Sequence, residues 1–511
     1  MKTSKSKEII IIGAGHNSLV AACLLAKRGK KVTVYEQNEQ IGGLGRGYEF
    51  APGYRSQGFF NDTSMVRSGV ADSVELSRFG IKFASEKANF KVPQTSGGFI
   101  ETPADVNQRP TEAWGWSAKD LKGYEDYRGF FDRTKNFMSK VFDDTPPNLN
   151  ALGFGSIFDI GMKAITLRLL GRKDMMEVLR RAPMCVADYL NEYFENDAIK
   201  ASLALPAVQF NYAGPWSPQT SLGLMIHETF RSNSVVGGSA GFVEALGKAA
   251  ASFGVTIKTS AKVTGLEIDD DQVRGVHLGD GKVVTADCVL SGADPKSTML
   301  KLIPRGVLQA KTRHKLEKYR TKGSTAKLDF AVSSLPDLDG DSSWARLRMP
   351  SSLDDLERTF DPIKYGEIGE RLSLDVHVPS RENSTLAPSG HHVVSIVAHH
   401  VPNESKNGWE SDRSKLESVV LAQLDEVLPG FKSNVVASST MTPLDIEKNY
   451  GTVGGHPLHG EQLIDQILNR PTLDTAGYRT PIRGLHMIGS GTHPGGGMTG
   501  APGALAVKEL F

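Results

Sequence analysis

Residues 8–36 read EIIIIGAGHNSLVAACLLAKRGKKVTVYE. Ile9–Ile12 is a short apolar run that predicts a buried strand, and Ser18–Arg28 is apolar enough to predict a helix. Gly13 and Gly15 supply the tight strand-to-helix turn, which aims the helix N-terminus at a phosphate. After Gly29 a second strand, Lys31–Tyr35, ends in Glu36, 23 positions beyond Gly13. That is where a Rossmann unit carries the acid that holds a ribose hydroxyl pair. A carboxylate there disfavours a 2′-phosphate by like-charge repulsion and desolvation, so the expected ligand is an adenine dinucleotide of the FAD or NAD type. Ser18 stands where a third glycine is usual, a position that serves close helix–strand packing and tolerates a small residue. A βαβ unit that binds nothing is the plainer alternative, and strand, glycines, helix and acid together weigh against it.

Residues 36–47, EQNEQIGGLGRG, continue with an acid, five residues, Gly42-Gly43, two residues and Arg46. This glycine turn lets backbone pass close under a pyrophosphate with a cation beside it. The pattern resembles flavoproteins of the amine-oxidase and phytoene-dehydrogenase superfamily. The stretch from Gly13 to Glu36, with His16-Asn17 after the second glycine, is similar to the phytoene dehydrogenase-like, carotenoid desaturase-related oxidoreductases. The resemblance implies FAD as cofactor, held at its N-terminal side by Gly13, Ala14, Gly15, His16, Asn17, Glu36, Gly42, Gly43 and Arg46.

Residues 237–300 support the same resemblance. They predict a helix at Phe242–Ser252, a strand at Val255–Lys258, then alternating strands at Ala261–Ile268 and Val273–Leu278 around the acidic turn Asp269-Asp270-Asp271, with Lys282–Leu290 as the return. In the family this region returns to the FAD domain, and the residue matching Val263 meets the adenine through its backbone. The closing stretch YRTPIRGLHMIGSGTHPGGGMTGAPG, residues 478–503, resembles the family's terminal signature. There backbone amides reach the flavin end of FAD, a task that falls here to Gly491 and Met498. Departures are Ser18, Gly47 where serine or threonine is common, and a stop at Phe511 that implies a short last helix without a membrane anchor.

The implied fold class is α/β: a Rossmann-like FAD-binding domain of the glutathione-reductase type, interleaved with a mixed-sheet substrate lobe and a helical cap insertion. Residues 1–95, 225–305 and 450–511 are assigned to the discontinuous FAD-binding domain, 306–449 to the sheet-based substrate domain, and 96–224 to the mainly helical cap. Pro/Gly-rich breaks at 95–110, 143–155 and 211–221 bracket the cap. Strands are expected at 326–334, 371–378 and 391–401, with a helix around Lys415–Val427.

The chain has 511 residues, with 59 basic and 58 acidic side chains for a net charge of +1. The length calls for more than one core, and the balance gives no long-range pull toward nucleic acid. Cys23, Cys185 and Cys288 are far apart, which fits a reducing compartment and excludes a C-x-x-C dithiol. No Walker A loop is present. The basic start MKTSKSKE precedes only four isoleucines, too short for a signal peptide or a spanning helix. A cytoplasmic protein is expected, with peripheral membrane contact open to it.

Gly155–Arg172, GSIFDIGMKAITLRLLGR, reads as one apolar helix broken by Lys163 and Arg168. Such a helix is ordinarily core, or it meets a membrane surface or gates a lipid-sized tunnel. The pairs His391-His392 and His399-His400 lie roughly 26 Å apart if VVSIVA between them is a strand, too far to share one ion. No metal is expected. His456 and His459 sit in a glycine-rich loop ahead of the closing segment, and His493 lies inside it. His493 and His456 are the candidate catalytic residues, for proton transfer as hydride leaves the substrate. The alternative for His493 is a structural turn histidine whose ring bonds backbone.

The expected activity is FAD-dependent dehydrogenation or desaturation of an apolar or amphiphilic small molecule, with oxygen, a quinone or another acceptor reoxidising the flavin. Alternatives are a redox-neutral flavin isomerase or hydratase, an amine oxidase with an aromatic cage, and a non-catalytic protein that keeps FAD for folding.

Overall fold

The computed structural model describes residues 8–85, 88–146 and 154–511. The basic start up to residue 7 and most of the 143–155 break lie outside these residues. Ile9–Ile12 forms the centre of a five-stranded parallel sheet, flanked by Val32–Tyr35 and then Thr256–Lys258 on one side, and by Cys288–Ser291 and then Leu485–Met487 on the other. All four isoleucines are buried, as the uninterrupted apolar run requires of a parallel strand covered on both faces. The following helix, His16–Lys27, is packed between Gly238–Ser252 and the closing helix Ala501–Leu510.

A three-stranded antiparallel sheet, Val263–Asp269, Gln272–Leu278 and Val283–Thr285, stands beside this unit. The single return strand expected at Lys282–Leu290 is two elements. Val283–Thr285 closes the meander, while Cys288–Ser291 pairs with Ile9–Ile12 in the parallel sheet. Its residues Val289, Leu290 and Ser291 are fully buried there, a burial that a meander edge does not offer.

The second lobe is a seven-stranded mixed sheet in the order Val435–Met441, Thr325–Val332, His392–His399, Ser373–His377, Arg346–Met349, Phe90–Pro93, Phe99–Thr102. Its last two strands come from well before residue 306, joined by a parallel pairing of Leu347 with Lys91. One face packs on the helix Trp409–Val427 through Leu328, Phe330, Leu374, Val376 and Ile396. The residues between them in the strands point the other way, and these are polar. Lys327, Asp329, Arg346, Arg348, Asp375, Ser395 and His399 are all buried on that second face.

Helices Ala118–Phe142, Phe154–Leu169, Gly171–Arg181, Val186–Asn191, Asp197–Val208 and Thr220–Phe230 form the cap. The first starts at Ser117, whose hydroxyl accepts the Asp120 N–H at 3.0 Å. Trp116, Tyr124, Tyr127, Phe131 and Phe194 meet edge-on in its core.

Two consequences are measurable. A Cβ on Gly503 would stand 2.0 Å from the carbonyl oxygen of Asn17. Gly503→Ala therefore has to push the closing helix off the first one, and a loss of about 2 kcal/mol or more is expected in denaturant unfolding. The second concerns acid. His16, His400, His456 and His493 are buried, and burial lowers their imidazoles to about 4 for the first two and about 3 for the others. Below about pH 6.5 the unfolded chain binds more protons than the folded one, so stability is full above that value and falls as pH drops, by about 1.4 kcal/mol per unit for each ring. Melting temperature should be flat above neutrality and descend steeply toward pH 4; an unchanged melting point at pH 5 would contradict neutral buried imidazoles.

Candidate active site

A cleft of about 520 Å³ opens at the C-terminal end of the parallel sheet, the place where doubly wound sheets bind ligands. Gly13, Gly15, His16, Asn17, Glu36, Gly42, Gly43 and Val263 line it, together with Ser490 from the closing segment and Tyr450 and His459 from the loop before it. The two ends of the chain thus meet at one crevice. The turn is held by backbone: Gly42 N–H donates to Ala14 O at 2.8 Å, and Gly13 and Gly42 take the left-handed conformation. Ser18 fits in place of glycine because its hydroxyl packs on Gly292, where a Cβ would stand 1.9 Å from it.

Glu36 is buried and accepts the Ala14 N–H at 2.7 Å and the Asn38 N–H at 2.9 Å. These bonds fix the carboxylate at the rim, where a ribose would meet it. Ala14 reaches the cleft through this bond and does not itself line it. Asn17 Nδ2 donates to Ser490 Oγ at 3.2 Å, while its Oδ1 is buried without a partner among the described residues. The His459 Nδ1 is likewise unpartnered. Gly15 has no atom within 4 Å of where a Cβ would stand. Open space over a glycine at a helix N-terminus fits the pyrophosphate of a dinucleotide, whose oxygens accept from backbone N–H groups.

Three expected cofactor residues sit elsewhere. Arg46 lies with its guanidinium 5.2 Å from the ring of Tyr450, behind the wall that this tyrosine forms. Gly491 is packed against Pro295, and its neighbour Ser490 faces the cleft. Met498 is buried and lines a second, smaller cavity.

That cavity adjoins the cleft. Phe60 lines both, and the His16 ring at the cleft is hydrogen-bonded to Gly497 O, on the cavity wall, at 3.0 Å. Its walls are partly apolar, from Met65, Phe210, Ile226 and Leu458, and partly polar, from Asn61, Asp62, His227, Asp375 and Gln462. Asp375 and Val397 of the seven-stranded sheet line it, and Asn61 connects it to the buried polar face of that sheet. Fully buried Lys327 donates to Asn61 Oδ1 at 2.6 Å, and Asn61 donates on to the carbonyls of Asp375 and Ser395. Burial lowers the Lys327 pKa, opposed by Asp329 and Asp375. Asp329 accepts from Tyr48 at 2.8 Å and from Ser395 at 2.5 Å. His227 stands between two carboxylates, 3.5 Å from Asp62 and 3.4 Å from Glu228.

Neither histidine expected to transfer protons reaches these spaces. His493 Nε2 bonds Asp144 O at 3.1 Å, and its ring is stacked 6.2 Å from Phe142. His456 accepts the Leu458 N–H at 3.1 Å through Nδ1. Both are fixed to main chain and buried, with their pKa values lowered to about 3 by burial. The histidines that do line the spaces are His16, His459 and His227. His391, His392 and His400 have separate partners in Tyr54, Ser380 and Thr359.

Asp62 and His227 carried no signal in sequence spacing. The strand AKLDFAVSS did carry one: Lys327 and Asp329, two apart in an apolar run, share one face. Gly237-Gly238-Ser239-Ala240-Gly241 has the spacing of a hydrolase elbow. Ser239 is fully buried, however, and its hydroxyl donates to Gln57 O at 2.8 Å.

Among the described residues no helix is long and apolar enough to cross a membrane. Residues 11–61 match a model of NAD(P)-binding Rossmann-like domains. The chain is 29% identical to a Rattus norvegicus protein called pyridine nucleotide-disulfide oxidoreductase domain-containing protein 2, over 99% of this chain and 93% of that one. It is 24% identical to a lycopene-forming phytoene desaturase of Pantoea ananas, over 98% and 97%. The fold is shared with an oxidoreductase from Methanosarcina mazei at a TM-score of 0.63 and 18% identity, covering 98% of this chain and 99% of that one. A model of flavin containing amine oxidoreductases matches residues 200–505, more than half of the chain, which therefore belongs to that family and is an FAD-dependent oxidoreductase.

Proposed function

We propose that the protein oxidises an amphiphilic small molecule whose polar end enters the cavity, of about 90 Å³, beside the closing turn. The carrying observation is the composition of that cavity, apolar on one side and floored on the other by carboxylate and amide groups. Gln462 Nε2 is buried there without a partner among the described residues, so an unbroken hydrocarbon would leave it unpaired, whereas a molecule with a polar end offers it an acceptor and its carbon part meets the apolar wall. In this reading residues 13–17, Gly42 and Gly43 hold the pyrophosphate of FAD, Glu36 the ribose, and the Val263 backbone the adenine. Arg46 braces the wall, and Gly491 and Met498 shape the closing turn. The FAD-binding unit is then built from 8–85, 231–305 and 450–511, the substrate lobe from 306–449 with the strands Phe90–Pro93 and Phe99–Thr102, and the cap from the helices between Ala118 and Phe230.

Bound FAD supplies a two-electron acceptor for hydride. The substrate carbon that gives up hydride also releases a proton from a neighbouring atom, and Asp62 with His227 is placed to take it. Lys327 orients Asn61 and with it the polar end of the substrate. Oxygen or a quinone serves as the final electron acceptor. Cys23, Cys185 and Cys288 form no disulfide with one another.

Amine oxidation is the second reading. Asp62 and Asp375 could face an ammonium, and Phe60 meets Phe210 edge-on at 5.8 Å beside them.

Flavin binding is tested with Gly15→Val. No protein atom lies within 4 Å of the added Cβ, so the variant should fold with unchanged circular dichroism yet purify colourless; a yellow variant would refute the placement. Turnover is tested by anaerobic mixing with a polyene hydrocarbon, a long-chain alcohol and a long-chain primary amine. Bleaching of the flavin band by the alcohol supports the leading reading and bleaching by the amine alone the second; bleaching by the hydrocarbon alone, or by none, overturns both. Asp62→Asn and His227→Gln should each lower kcat by about 100-fold with flavin content intact.

A further inference from the structure

The cap helix Phe154–Leu169 carries apolar residues on the side it does not pack. Leu167 and Leu170 meet the cap core, and Lys163, largely buried, is turned the same way. Phe158, Met162, Ile165 and Leu169 are four, three and four residues apart, which sets them in one stripe on the opposite side. Their exposures are 63%, 44%, 52% and 79%, and the next helix, Gly171–Arg181, adds Met176 and Leu179 at 54% each. Scattered exposed side chains need no explanation, but a contiguous apolar patch on a monomer marks an interaction surface.

We propose that this face docks the protein on the surface of an anionic lipid bilayer. The argument for a bilayer rests on charge. Asp159 is paired with Lys163, Asp174 with Arg133, and Glu177 with Arg180 and Arg181. Arg168, Arg172 and Lys173 are exposed beside the stripe and carry no ion pair among the described residues. An apolar stripe edged by unneutralised cations suits acyl chains below anionic headgroups. A second copy of this face would offer those cations no unpaired acidic partner, since Asp159, Asp174 and Glu177 are already paired. The packed side of the helix faces the closing turn: Lys163 donates to Thr145 O at 3.3 Å, and the carbonyl of neighbouring Asp144 meets His493 Nε2 at 3.1 Å. An amphiphile leaving the bilayer would therefore meet the protein on the flank that carries this turn. Docking is independent of the redox reading, because binding to vesicles involves no turnover.

The test is sedimentation of the FAD-loaded protein with vesicles of phosphatidylcholine, with and without phosphatidylglycerol. The wild type should bind the phosphatidylglycerol vesicles and weaken as salt rises. Phe158→Glu with Ile165→Glu, both at exposed positions, should lower the partition coefficient by about tenfold or more. Replacing Arg168, Arg172 and Lys173 by glutamine should lower it by about fivefold per residue. The flavin band should persist in every variant, which separates lost docking from lost folding. Absence of wild-type binding, equal binding to both vesicle types, or an unaffected Phe158→Glu/Ile165→Glu variant would overturn the proposal. So would a wild-type dimer without vesicle binding that this variant converts to monomer, since the stripe would then cover a second copy.

Discussion

Backbone touches backbone where the two ends of the chain meet, and the site depends on that contact. A Cβ on Gly503 would stand 2.0 Å from Asn17 O, and one on Gly489 would stand 2.5 Å from Gly292 O. No side chain larger than hydrogen permits either approach. Three segments far apart in sequence are thereby locked around a single turn, with the first N–H groups of His16–Lys27 facing the cleft. That helix has no acidic residue in its first turn. Its positive end is left for an external anion, which a dinucleotide phosphate provides.

The second constraint is the alternation of the seven-stranded sheet. Its strands place Leu328 and Phe330 on one side and Lys327 and Asp329 on the other, with all four buried. The apolar face is stabilised in the ordinary way against Trp409–Val427. Burial of the polar face is unfavourable unless its groups bond one another. They do, through Tyr48, Ser395 and Asn61, and Asn61 joins this network to the smaller cavity, which it lines.

Features carried by contiguous residues were legible in the sequence: the strand–turn–helix from Ile9, the acid at Glu36, the Gly42-Gly43 turn and the glycines of the closing segment. Each expresses a local backbone requirement that spacing records. The cavity was not legible, because its contacts join remote segments. His227 meets Asp62 across 165 positions, and Lys327 meets Asn61 across 266. His493 shows the converse. It lies inside the most informative motif, yet its ring turns out of the turn to Phe142 and Asp144, and ring direction is set by packing that no motif encodes. For Phe154–Leu169 the apolar periodicity was visible but its side was not, since a buried stripe and an exposed one have the same spacing.

Lys327 and Phe158 break the rule of polar outside and apolar inside in opposite directions. Each departure is locally unfavourable: an ammonium is removed from water in one case, and an aromatic ring is left in it in the other. Fold stability explains neither, because an apolar residue at 327 and a polar one at 158 would serve the lobes at least as well. A chain whose other levels agree is expected to place its exceptions where something outside the fold completes them. The buried lysine is held by Asn61, and Asn61 in turn lines the cavity. For the exposed helix the completing partner is an apolar phase beyond the surface. A ligand with one polar end and one apolar end is the kind of molecule that would belong to both environments.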